Sequence, residues 1–212
     1  MPDLVLLNEV PKFNPGDDAA DWSGRIAEKL ELPFFYVGSI SSAHHRAPEW
    51  GDITGHYGGK FKSIMSRWPL SNTHDYLLEG EGWSPASAVR AELKIGAARW
   101  AIYSLHVPGH RVYDRSKHRS LVSDVLANEP LEHVVVAGDF NVGTHSAVLK
   151  EVKQGARLDN AITDQSIDHI LYRSSGPIRM IGSGLDNGPV VETRIKRLSD
   201  HPFAWVRFDL AG

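Results

Sequence analysis

The run Val134-Val135-Val136-Ala137-Gly138-Asp139-Phe140-Asn141 sets the reading of the whole chain. Three consecutive β-branched residues favour a central strand, where branched side chains pack well on a pleated surface. Gly138 admits close backbone approach, and Asp139 and Asn141 then emerge two residues apart and able to face the same way. One reading is a pair of functional polar groups; the other is an Asx-type turn that ends a strand. Similar short polar clusters follow other apolar runs. Glu9 stands just beyond Leu4 to Leu7, His106 ends Trp100 to Leu105, Asp168-His169 follows Ile167, and Ser199-Asp200-His201 precedes Pro202. Acids and imidazoles recurring at strand ends can assemble into one site.

Length and composition bound what that site serves. With 212 residues, 42% of them hydrophobic and 23% charged, the chain can bury one sizeable core, and a single domain over 1–212 is expected. The formal charge of −3 argues against a surface built for undiscriminating nucleic-acid capture, which needs clustered Lys and Arg, though it leaves room for a local basic cleft. There are no cysteines, which excludes disulfides, thiolate catalysis and sulfur-ligated zinc. The apolar runs fall far short of the roughly 20 residues that span a bilayer. Met1-Pro2-Asp3 ahead of Leu4 to Leu7 lacks the basic flank and cleavage site of a secretory signal, so a soluble, unprocessed, cytoplasmic chain is expected.

Apolar runs rich in β-formers predict strands at Leu4 to Leu7, Phe34 to Val37, Ser63 to Met65, Ala88 to Ile95, Trp100 to Leu105, His133 to Ala137, Ile167 to Tyr172, Ile178 to Ile181 and Phe203 to Phe208. Helical spacing predicts helices over Asp21 to Leu30, Arg115 to Ala127, and His145 to Val152 with Thr144 as its cap. Many strands with few helices predict sheets packed together and covered outside by helices. Ser39 to Lys60, rich in Gly, His and Ser, reads as a long loop of the kind that often carries function.

Each polar group has a bland and a chemical reading. Glu9 is either a solvated strand end or a ligand projecting into a cleft. Asp168 sits inside an apolar run, and burying an unpaired carboxylate costs several kcal/mol, so it needs a cation, a metal or an imidazole; Asp200-His201 offers the imidazole. A carboxylate beside a histidine raises its pKa and fixes its tautomer. Other signals fail. Gly55-His56-Tyr57-Gly58-Gly59-Lys60-Phe61 has the wrong glycine spacing for a phosphate loop and carries Phe61 where Ser or Thr would meet magnesium. His44-His45 and the His106 to His110 pair lack the helical register of a zinc motif. There is no Gly-x-Ser-x-Gly elbow. Trp50, Trp68 and Trp83 near loops suit packing better than stacking on a base.

The ordered series Leu6-Leu7-Asn8-Glu9-Val10, Ser66-Arg67, Ser104-Leu105-His106, Gly138-Asp139-Phe140-Asn141, Ile167-Asp168-His169-Ile170-Leu171 and Ser199-Asp200-His201-Pro202 resembles the endonuclease/exonuclease/phosphatase superfamily over nearly the whole chain. The resemblance implies an α/β (α+β) four-layer sandwich, with two mixed β-sheets face to face and helices outside. It implies magnesium, or manganese, and cleavage of a phosphoester by an activated water. Glu9 corresponds to a magnesium ligand and Asp200 to a second metal-site acid. Asp139 corresponds to the group that orients or deprotonates the water, and Asn141 to the amide that holds it or a phosphoryl oxygen. His201 corresponds to the imidazole on the scissile phosphate, Asp168 to its carboxylate partner, and His106 to the histidine near the leaving oxygen. Arg67, with Lys60 and Lys62, adds positive charge expected at the cleft and is taken as substrate-binding.

Three functions follow from the resemblance: a phosphodiesterase acting on nucleic acid, a phosphatase or phospholipase-like enzyme acting on a phosphorylated small molecule or lipid head group, and a relic of the fold without catalysis. Members of the superfamily begin with an Asn-bearing strand and a helix before the strand that carries Glu9. Here Met1 leads directly into that strand, so an N-terminally incomplete domain is expected, with an exposed edge or gap beside Leu4 to Leu7.

Overall fold

A computed structural model describes residues 1–10, 22–40, 61–80, 85–107, 115–176, 178–186 and 201–210. The described strands are β1 (Leu4–Val10), β2 (Phe34–Val37), β3 (Phe61–Ser66), β4 (Ser71–Leu78), β5 (Ala86–Ile95), β6 (Ala98–His106), β7 (His133–Asp139), β8 (Asp159–Asn160), β9 (Asp168–Arg173), β10 (Ile178–Asp186) and β11 (Phe203–Leu210). The helices are α1 (Trp22–Lys29), α2 (Ser116–Ser120) and α3 (Ala147–Ala156). All nine predicted strands form. Strands β4 and β8 were not foreseen: Ser71-Asn72-Thr73-His74-Asp75 carries almost no apolar signal, and β8 is only the two polar residues Asp159-Asn160; both lie at the edges of the sheet, where polar strands are tolerated.

The strands make an α/β sandwich. One sheet runs β4-β5-β6-β7-β9-β8 and is mixed, with β6 and β7 parallel and the other pairs antiparallel. Facing it are the antiparallel sheet β1-β3-β2 and the antiparallel ribbon β10-β11, so among the described residues the second layer contains antiparallel pairs only. Ile64, Val89, Ile102, Val135, Ala137 and Ile170 fill the space between the layers. Helix α1 covers the outer face of β1 and β3 through Ala27, Leu32 and Met65. On the opposite side α2, α3 and the turns between α2 and β7 bury Leu121, Leu126, Leu149 and Val152 against Tyr103, Leu105, Val134 and Val136. Strand β7 thus alternates between two apolar environments, which explains the unbroken Val134-Val135-Val136 run.

Two local expectations are corrected. The helix predicted over Arg115 to Ala127 is α only to Ser120, then a π-helical turn (Leu121–Val125) and a 3₁₀ turn (Leu126–Asn128). The cap of α3 is Ser146, whose hydroxyl accepts from the Leu149 amide at 3.1 Å; Thr144 instead donates to the Asp164 carbonyl at 2.7 Å. The loop Ser39 to Lys60 lies outside the described residues beyond Ile40, as do Trp50 and Trp83, while Trp68 packs on the core between the layers.

Candidate active site

Strand register brings the polar clusters together. Ser87 of β5 stands opposite His106 of β6, His106 opposite Asp139 of β7, and Asp139 opposite Asp168 of β9. Directly opposed residues point to the same face of a sheet, so Ser87, His106, Asp139 and Asp168 form one row. Ile102, Val135, Ala137 and Ile170 lie an even number of residues from this row and line the core between the layers, so the row faces β1 and β3.

The backbone around Asp139 is closely fixed. Gly138 adopts φ +144°, and a Cβ there would fall 2.0 Å from the Leu105 carbonyl oxygen and 2.9 Å from the Asn8 amide. Only glycine permits that approach. The Asp139 carbonyl accepts from the Val107 amide at 2.9 Å, and the Phe140 amide donates to the Ile167 carbonyl at 3.0 Å. Phe140 is fully buried and meets the His169 ring edge-on. Asn141, in the left-handed region at φ 52°, donates its amide N–H to Asp139 Oδ1 at 2.7 Å and its side-chain amide to Oδ2 at 2.8 Å and to the Val107 carbonyl at 2.9 Å. The Asx-type turn and the functional cluster are therefore the same object: the turn clamps the carboxylate.

Burial first, then the negative charges of Asp168 and Glu9, push the Asp139 carboxyl up to about 7, against the opposing pull of the Asn141 amide and His201. His201 Nδ1 lies 2.8 Å from the half-buried Asp168 Oδ2, the imidazole partner expected for an acid in that apolar run. His106 is held between two acids, with Nδ1 3.7 Å from Glu9 Oε1 and Nε2 3.7 Å from Asp139 Oδ2. Glu9 reaches the row from β1 through a bulge: Leu7 pairs with Ser63 and Val10 with Phe61, so Asn8 and Glu9 share Lys62 as their opposite number. Glu9 sits at φ 56°, a conformation costing an ordinary residue roughly 1–2 kcal/mol and concentrated at functional positions.

Of the expected site residues, Glu9, His106, Asp139, Asn141, Asp168 and His201 converge. Asp200 lies outside the described residues. Arg67 does not reach the site. It follows Ser66, which pairs with Leu4, at the opposite end of β1 from Glu9, and its guanidinium binds Asp3 at 2.7 Å. Antiparallel pairing sends the two ends of β3 to opposite rims, which its place in the sequence does not reveal. His169 is structural: fully buried on the other face of β9, its Nε2 meets the Val142 carbonyl at 2.8 Å, and burial lowers its pKa. The contribution of β3 is Lys62, a fully buried cation whose Nζ donates to the Ser87 hydroxyl. Its signal was a lysine within Phe61-Lys62-Ser63-Ile64-Met65, an apolar strand that gives a charge no route to solvent.

Among the described residues, one cluster and one single carboxylate are the candidate places for a divalent cation. The ligating atoms of Asp139, Asp168 and His201 lie within 4.8 Å of one another. Both Asp139 oxygens already accept from Asn141, however, and Asp168 holds His201. The Glu9 side chain is 43% exposed, which leaves room for the waters that magnesium retains.

A comparison with curated proteins finds no match. Solved structures match closely in fold at low identity. An endonuclease/exonuclease/phosphatase family protein from Leptotrichia buccalis superposes at TM-score 0.67 with 12% identity, covering 98% of this chain and 88% of that one. D. rerio TDP2 complexed with a single-strand DNA product gives 0.68 with 16% identity, covering 98% and 86%. Sphingomyelinase C from Streptomyces griseocarneus gives 0.58 with 19% identity, covering 96% and 82%. The family model for the Endonuclease/Exonuclease/phosphatase family matches residues 1–201, and the chain belongs to that family of phosphoester hydrolases.

Proposed function

We propose that the protein is a divalent-metal-dependent phosphodiesterase of the nuclease type. The observation that carries this reading is the row His106-Asp139-Asp168, with His201 seated on Asp168 and Glu9 facing it from β1. In the proposed mechanism Asp139, held by both Asn141 donors and with a carboxyl near neutrality, orients a water and accepts its proton. Asp168 fixes His201 Nδ1, so Nε2 is the nitrogen that meets the scissile phosphate, and the paired imidazolium offsets charge on the phosphoryl oxygens. His106, between two acids, donates toward the leaving oxygen. Magnesium or manganese at Glu9, when bound, supplies Lewis-acid polarisation of the phosphoester.

The test measures cleavage of supercoiled plasmid and a chromogenic phosphodiester with magnesium, with manganese and with chelator, and in parallel phosphate release from inositol phosphates and phosphocholine release from sphingomyelin. Metal-dependent plasmid cleavage is expected. Asp139→Asn and His201→Ala should each lower turnover by about 10² to 10⁴-fold with the fold retained. Equal turnover in chelator would remove the metal, and activity confined to the inositol or lipid substrates would reassign the enzyme to the phosphatase or phospholipase reading favoured by its likeness to a sphingomyelinase.

A further inference from the structure

Lys62 is the cation in this site that the mechanism above does not use. Its side chain points with Ile64 into the space between the layers, and the whole residue is inaccessible to solvent. An ammonium so buried needs several oxygen partners to offset its desolvation. The Ser87 hydroxyl, next in the row to His106, supplies one. Burial pulls the Lys62 ammonium down to about 8 even though, among the described residues, the charges of Glu9 and Asp75 oppose that fall. Asp75 already accepts from the Tyr36 hydroxyl at 3.0 Å, the Ser39 amide at 2.6 Å and the Ser39 hydroxyl. The bulge in β1 sets Glu9, together with Asn8, across from Lys62, and Glu9 sits in a left-handed conformation.

We propose that Lys62 is a built-in counter-cation for Glu9, occupying electrostatically the place that a divalent cation takes, so that metal binds this protein only against the field of a fixed ammonium. The inference rests on the placement of the metal at Glu9. Its consequence is a site that keeps its acids together without metal and binds magnesium weakly. Two like charges a few ångströms apart in a partly shielded site weaken binding of the second by about tenfold to hundredfold.

The experiment is calorimetric titration of manganese, then magnesium, into the metal-free full chain. Lys62→Met keeps the length of the side chain and removes its charge. It is expected to tighten manganese binding at least tenfold, and to change nothing in a Glu9→Gln background. Lys62→Gln should shift affinity the same way. Should neither variant keep its circular-dichroism spectrum, Ser87→Ala serves: it drives the ammonium onto Glu9, and manganese binding several-fold weaker than in the unaltered protein is expected. Equal affinity with and without the Lys62 charge, or unchanged affinity in Ser87→Ala, overturns the counter-cation while the metal site stands. Absence of binding heat in every variant overturns both.

Discussion

At the scale of single residues, Gly138 and Asn141 do more for the site than their chemistry suggests. An alanine at 138 places its Cβ 2.0 Å from the Leu105 carbonyl oxygen in a backbone conformation that disfavours side chains. Gly138→Ala should therefore cost about 2–4 kcal/mol and lower the melting temperature by many degrees, measured by calorimetry. Asn141→Ala removes a donor to Asp139 and one to the Val107 carbonyl while leaving the main-chain hydrogen bond to Asp139 in place. Turnover is expected to fall by roughly 10 to 100-fold with little change in KM, since the lost contacts position a reacting group rather than bind substrate. A KM rise at constant kcat would make Asn141 a substrate contact. Both residues were singled out in the sequence, but the clamp on both carboxylate oxygens was not, because hydrogen-bond partners depend on a left-handed turn that no composition encodes.

At the scale of elements, the outer face of the six-stranded sheet is tied by a polar network remote from the site. Arg90 of β5 is bidentate to Glu129, with Nε–Oε2 2.7 Å and Nη2–Oε1 3.0 Å, and Nη2 also meets Glu92 at 2.8 Å. Tyr103 of β6 donates to Glu129, and Asn72 of β4 donates to Glu92 at 3.0 Å. Three strands and the segment leading into β7 are thus joined by one buried guanidinium. Arg90→Ala, which strands the Glu129 carboxylate, should cost about 3–5 kcal/mol in denaturant melts. Burial would raise Glu92, yet hydrogen bonds from Arg99, Arg90 and Asn72 overcome it and hold the carboxyl at about 2, below its ordinary 4.5. A folded-state pKa below the unfolded one stabilises the protein above pH 4.5, and that contribution drains away as pH falls toward 2. Stability should therefore decline through this window by about 1–2 kcal/mol more in the native protein than in Glu92→Gln. Helix α3 offers a separate check: Ser146→Ala should cost about 1 kcal/mol, whereas Thr144→Ala should act through the Asp164 loop.

At the scale of the whole molecule, the layer facing the six-stranded sheet is divided. Strand β1 has β3 on one side and, among the described residues, no strand on the other, while the β10-β11 ribbon stands apart and packs on β9 through Ala204, Val206 and Leu210. An edge with unpaired backbone groups invites pairing with another chain. Sedimentation velocity is expected to show self-association that grows with protein concentration; a monomer at all concentrations would show the edge to be closed. No helix among the described residues is long and apolar enough to cross a membrane. The sequence alone determined where nine of the eleven described strands lie, because their apolar runs seek burial, and it marked the polar groups at their ends, because acids and imidazoles there had no place in a core. Only the tertiary structure decided which of these groups meet. Register across four strands set Ser87, His106, Asp139 and Asp168 in one row, a bulge set Asn8 and Glu9 together opposite Lys62, and antiparallel pairing carried Arg67 to the far rim. Those outcomes depend on pairings between residues distant in the chain, and a local pattern of apolar and polar residues carries no record of its partner.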